Sequence, residues 1–151
     1  MNLLRLATLA VILALTGCNY DAALTAQPTR KIDERLLGVW LGGDEGKEPM
    51  IVRALDEFTY VVAMDDEIYR AYHSDFGDRP FLSVQELQKE RRYLFLTAEV
   101  SADGKKLTLH TVNVKVIPEE TKGREALQRL LKANLTNPKL FGEALVYTRK
   151  S

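Results

Sequence analysis

From Leu36 onward, short apolar segments alternate with turn residues, and most of them carry the two-residue period of a strand. Leu36 to Leu41 reads as a first strand, ended by Gly42-Gly43-Asp44-Glu45-Gly46, and Pro49 to Leu55 as a second. Phe58 to Met64 is a clear third, with Phe58, Tyr60, Val62 and Met64 set against Thr59, Val61 and Ala63. Asp65-Asp66 turns the chain into Ile68 to Asp75, and Phe76 to Pro80 turns it into Phe81 to Val84. Pro80 fits only at a strand start or an edge, because it has no amide to give a ladder. Arg92 to Val100 places Leu94, Leu96, Ala98 and Val100 on one face. Asp103-Gly104 then supplies the positive φ that a tight hairpin turn needs.

The next segment, Lys106 to Ile117, changes phase. Leu107 and Leu109 set one parity, whereas Val112, Val114 and Val116 occupy the other. A regular strand would throw one of these sets to the wrong face, so the pattern predicts a β-bulge or bend near His110–Thr111. The one helical stretch follows. Leu127, Leu130, Leu131 and Leu135 fall at i, i+3, i+4 and i+8, an apolar stripe for one face. Thr121 is expected as its cap, with Glu119 and Glu120 near the positive end and Lys132 near the negative end. Asn137-Pro138 stops it, and Glu143 to Thr148 reads as a closing strand. The economical architecture is all-β with one helix in the C-terminal half. It is an antiparallel up-and-down meander of about eight strands that closes into a barrel and so removes its edges.

The N-terminus follows a different pattern. Arg5 precedes ten uncharged residues, Leu6 to Leu15, too few to span ~30 Å of hydrocarbon as a helix, for which about 20 are needed. The length suits the apolar region of a secretory signal. At its end, Leu15-Thr16-Gly17-Cys18 resembles the lipobox of bacterial lipoproteins. The resemblance implies cleavage before Cys18, lipid on the Cys18 thiol and new amino terminus, and palmitate-type acylation. It implies a place in the bacterial cell envelope, and Asn19 leans by analogy toward the outer membrane, facing the periplasm. Two or three acyl chains make a stable anchor where one does not. The expected divisions are residues 1–17 as signal peptide, 18–31 as lipidated N-terminus and tether, and 32–151 as the barrel domain.

A second resemblance sits at Leu37-Gly38-Val39-Trp40, which is similar to the Gly-x-Trp signature on the first strand of lipocalins. It implies a Trp closing one end of the barrel with a basic side chain stacked on the indole, Arg149 or Lys115 here. The second motif of that family, Thr-Asp-Tyr, has no counterpart in this chain.

Composition narrows the functions. The chain carries 21 basic and 21 acidic side chains, and cleavage before Cys18 would remove only Arg5. Such balance gives no electrostatic footing on nucleic acid. Cys18 is the only cysteine, so stability must come from packing without a disulfide. With two His and no ligand spacing, neither a transition metal nor a cofactor is expected. Asp65-Asp66-Glu67 lacks the alternation of a calcium loop and reads as a solvated turn. His73-Ser74-Asp75 holds three catalytic residue types, yet neighbours on a strand point to opposite faces, which separates the His from the Ser.

These features describe a non-enzymatic module with two possible roles. In the first, Trp40, Tyr60, Met64 and Tyr72 line a site for a small apolar ligand or lipid. In the second, a filled, ligand-free barrel docks on an envelope protein or inhibits one. A carrier needs an open internal cavity of roughly a few hundred Å³; a docking protein needs a packed interior and an apolar patch outside.

Overall fold

The computed structural model describes residues 19–151. The lipobox and Cys18 lie outside the described residues. Eight strands run β1 Gly38–Gly42, β2 Glu48–Ala54, β3 Thr59–Met64, β4 Glu67–His73, β5 Phe81–Glu86, β6 Tyr93–Val100, β7 Lys106–Thr111 and β8 Leu145–Arg149. Each pairs antiparallel with the next, and β8 pairs with β1 through Trp40↔Arg149 and Leu41↔Thr148, which closes the barrel. Among the described residues the single α-helix, α1 Arg124–Asn134, lies between β7 and β8. The Asp103-Gly104 turn forms where the sequence puts it, with Gly104 at φ 72° and Asp103 capping the amide of Lys105.

Strand alternation sorts the apolar side chains into two cores. Inside the barrel lie Trp40, Met50, Val52, Tyr60, Tyr69, Leu94, Leu96, Leu107, Leu109 and Tyr147, among others. The opposite parity of β5 and β6 carries Phe81 and Phe95, which face outward into a second core. That core is completed by Leu127 and Leu131 of α1, by Ile117 and Leu140, and by Tyr20 and Leu24. The helix therefore covers the outside of the sheet with the stripe that its sequence announces.

The second core overturns three expectations. Residues 19–31 are not a free tether; they form a strap along the outside of β4–β6. Asn19 and Tyr20 donate their amides to Tyr93 O, Leu24 N bonds to Ser83 Oγ, and Thr29 N bonds to His73 O. Tyr20 stacks on Phe95 at 4.8 Å between centroids, and its hydroxyl donates to Ile117 O at 2.7 Å. The strap lacks a period because it covers the sheet as an irregular segment, burying Tyr20, Ala23 and Leu24 at uneven spacing. The bulge near His110–Thr111 is also absent. The register continues evenly through Leu96↔Thr111, and Val112 N bonds to Phe95 O. No bulge is needed, since Leu107 and Leu109 face the interior while Val112 joins the outer core, so both parities are buried. Beyond Val112 the strand ends, and Asn113 accepts the amides of Val116 and Ile117 in a turn. Finally, Thr121 does not cap α1. Gly123 takes the N-cap position at φ 82°, and Asp21 of the strap accepts its amide.

The strap also closes one end of the barrel. Ile32 N bonds to Glu57 O, and a 3-10 turn, Glu34–Leu36, then crosses the mouth to deliver Leu36 inside. A tether residue would tolerate substitution within about 0.5 kcal/mol. The fully buried Leu24 should not: Leu24→Ala is expected to lower unfolding free energy by about 2–4 kcal/mol in a urea titration.

Candidate functional site

Three places merit attention as sites: the barrel interior, the end closed by Trp40, and the polar cluster around His73.

The interior holds a cavity of about 60 Å³, walled by Leu36, Met50, Val52, Val62 and the inward aliphatic side chains of β4–β7, with Tyr60 and Tyr69. An engineered apolar cavity of about 150 Å³ admits benzene, and this space is less than half that size. Of the four residues expected to bind a ligand, Tyr60 lines the cavity, while Trp40 and Met64 belong to the inner core without lining it. Tyr72 is on the other side of the sheet. Tyr69 and Ala71 point in, so Tyr72 must point out, and its hydroxyl donates to Thr25 O in the strap.

The closed end is built on the Gly-x-Trp segment. Trp40 is fully buried, and its indole N–H donates to Leu36 O at 2.9 Å. The Arg149 guanidinium lies over the indole with Cζ 4.1 Å from the ring centroid. Of the two basic candidates, then, Arg149 takes the stacked position. Its Nε, Nη1 and Nη2 donate to Gly104 O, Leu37 O and Arg35 O, each at 2.7 Å. One side chain thereby ties the β6–β7 hairpin, the approach to β1 and the 3-10 turn across the mouth. Gly38 makes room for it: its φ is 139°, and a Cβ there would sit 2.6 Å from Arg149 Nη1.

At the end of β4, His73 and Ser74 point to opposite faces. His73 Nε2 lies 2.8 Å from the Tyr60 hydroxyl, which also accepts the Asp33 amide. The hydroxyl proton is therefore available for Nε2, which leaves the imidazole proton on Nδ1, a buried atom with no partner among the described residues. Burial, with Arg30 nearby, pushes His73 down to about 4. Ser74 bonds instead to Ser83 Oγ and receives Thr25 Oγ1, both at 2.8 Å, a hydroxyl chain that fastens the strap. Asp75 pairs with Arg30 at 2.9 Å. These groups serve the strap, and the nucleophile and base of a hydrolase are not brought together. His110 meets the Phe141 ring edge-on at 6.3 Å. In the Asp65–Glu67 turn, Glu67 binds Lys89 and the Tyr69 hydroxyl. Among the described residues no cluster of His, Cys, Asp or Glu is arranged to hold a metal ion.

Comparison with protein-family models, with curated proteins and with solved structures finds no match to this chain. What it does must therefore be argued from its own geometry.

Arg149→Met keeps an apolar stem over Trp40 but leaves three carbonyls without their charged donor. The expected cost is about 2–4 kcal/mol, read by urea unfolding through the fluorescence of Trp40, the only Trp; Arg149→Lys should recover less than half. His73 sets a pH dependence. The unfolded chain protonates it near 6.5 and the folded chain only near 4, so between those values the unfolded state holds more protons. Stability should fall as pH drops from 6.5 toward 4, and His73→Gln should flatten that slope in unfolding titrations across the window.

Proposed function

We propose that this chain is a lipid-anchored envelope protein whose barrel is a filled platform, acting on a protein partner through its outer surface. The observation that carries the reading is the interior. At about 60 Å³ the cavity falls well short of the several hundred Å³ that ligand sites generally occupy, and Trp40, Arg149 and the 3-10 turn shut one end. The carrier reading, with Tyr60 and its neighbours around an apolar ligand, would need that packing to open.

The anchor rests on the sequence Leu15 to Cys18. The strap gives it a mechanical consequence. Because the Asn19 amide is bonded to Tyr93 O at 2.8 Å, acyl chains on Cys18 would start at the barrel itself, where β6 begins. The barrel would then stand on the bilayer with that end down.

The outer face of β1–β4 supports the docking role. Register places Val39, Ile51, Ala63 and Ile68 in one row across four strands. Ile51 and Ile68 are 37% and 42% exposed, which forms an apolar stripe on a surface where single apolar residues need no explanation but rows do. Arg53 and Arg70 flank Val61 in the adjoining row.

Native mass spectrometry of the chain extracted from membranes tests the reading. The expected spectrum shows covalent acyl mass lost in Cys18→Ser and no non-covalently held lipid. Lipid retained by the wild type and expelled by an interior-filling Ala98→Phe would overturn it in favour of a carrier. Pull-down from solubilised membranes should recover a partner that the pair Ile51→Lys and Ile68→Lys loses.

A further inference from the structure

Outside the barrel, between the strap and the β2–β3 hairpin, lies a cleft of about 550 Å³. Ala26, Gln27 and Pro28 of the strap form one wall; Asp56, Phe58 and Thr59 of the hairpin form the other. Arg70 and Tyr72, adjacent on the outer face of β4, make the floor. Its size is that of a small-molecule site, and the cleft exists only because the strap is fixed against the sheet.

Its charged groups are unevenly satisfied. The Arg70 guanidinium sits with Cζ 5.8 Å from the Tyr72 ring centroid and makes no hydrogen bond or ion pair with any described residue. Its Nε is buried without an acceptor. Buried polar atoms without partners are uncommon, and one on a guanidinium at the floor of a cleft marks the cleft as unfinished. Asp56 is fixed on the opposite side, its Oδ1 accepting Phe58 N at 2.7 Å and Thr59 N at 2.8 Å. The Thr59 hydroxyl beside it and the Arg70 charge across the cleft hold the Asp56 carboxyl below the usual carboxylate range, so it stays an anion facing the cleft. Phe58, 41% exposed, and Tyr72 add aromatic surface between the two charges.

We propose that this cleft binds a small zwitterion with an apolar body, its anionic group on Arg70, its ammonium on Asp56 and its apolar part against Phe58 and Tyr72. A plain anion would meet the Asp56 carboxylate, and a plain cation would meet Arg70; a molecule carrying both charges satisfies each. An amino acid with an aromatic side chain is the simplest compound of this class. The guanidinium offers a planar fork that matches a carboxylate, and an ammonium is attracted both by Asp56 and by the ring faces. The site goes beyond the platform role and does not depend on the anchor.

The test is an amide-resolved NMR titration of the purified chain with three probes: phenylalanine, 3-phenylpropionate and phenethylamine. Phenylalanine is expected to shift the amides of residues 26–28, 56–59 and 70–72, and to bind about tenfold more tightly than either singly charged probe. Arg70→Gln should weaken it by about tenfold or more. Asp56→Asn, which keeps an oxygen for the hairpin amides, should abolish the preference for phenylalanine over 3-phenylpropionate while leaving the rest of the spectrum unchanged. Shifts confined to other residues, no saturable shift with any probe, or equal binding of phenylalanine and 3-phenylpropionate by the wild type would overturn the proposal.

Discussion

The outer faces of β5 and β6 are apolar, and they cannot be left in water. Phe81 and Phe95 project away from the barrel interior, and burying a side chain of that size is worth about 1.5–3 kcal/mol each. An isolated eight-stranded barrel has no means of covering them. The chain covers them twice over, with α1 from the segment between β7 and β8, and with the strap that precedes the barrel. The two covers also touch each other. Asp21 accepts the Gly123 amide at the start of α1, Arg124 donates to Ala23 O, and Gln128 donates to Leu24 O. Strap, helix and sheet form one outer core, and removing any of the three exposes the other two.

Several further features follow from that cover. Because the strap is held along β4–β6, it reaches the far end of the barrel at a fixed place, where the 3-10 turn crosses the mouth above Trp40. Arg149 then locks the turn by serving three carbonyls at once while its charge rests on the indole. The interior behind this plug is packed from every strand, as barrels of about this strand number can be. The strap also supplies one wall of the Arg70 cleft, opposite the β2–β3 hairpin. Interior, plug and outer cleft are thus arranged by one irregular segment that carries no regular secondary structure.

The barrel was legible in the sequence because a strand with one face inside leaves a period of two. Leu94, Leu96, Ala98 and Val100 do face the interior as their spacing says, and the Leu127–Leu131 stripe does lie on the sheet. Trp40 and Arg149 were reachable through the Gly-x-Trp segment. The strap was not, since Tyr20 and Leu24 are only two apolar anchors in an irregular run. The bulge expectation fails because it allows the strand one buried face; with strap and helix covering the other, Val112 is buried there. Tyr72 rests on no alternation argument, and its parity against Tyr69 and Ala71 turns it outward to the strap. The Arg70 cleft left no sequence signal, because its charges come from a hairpin tip and a strand interior fourteen positions apart with no motif between them.

The central claim is that the strap is an integral layer of the domain, folded and unfolded with the barrel. Native-state amide hydrogen exchange measures this directly at Tyr20, Leu24 and Thr29, whose N–H groups bond to Tyr93 O, Ser83 Oγ and His73 O. The account predicts protection of these amides within about tenfold of the slowest amides of β5 and β6, with all of them exchanging through global unfolding. Exchange of the three at the rate of an unstructured chain, while β5 and β6 stay protected, would contradict it.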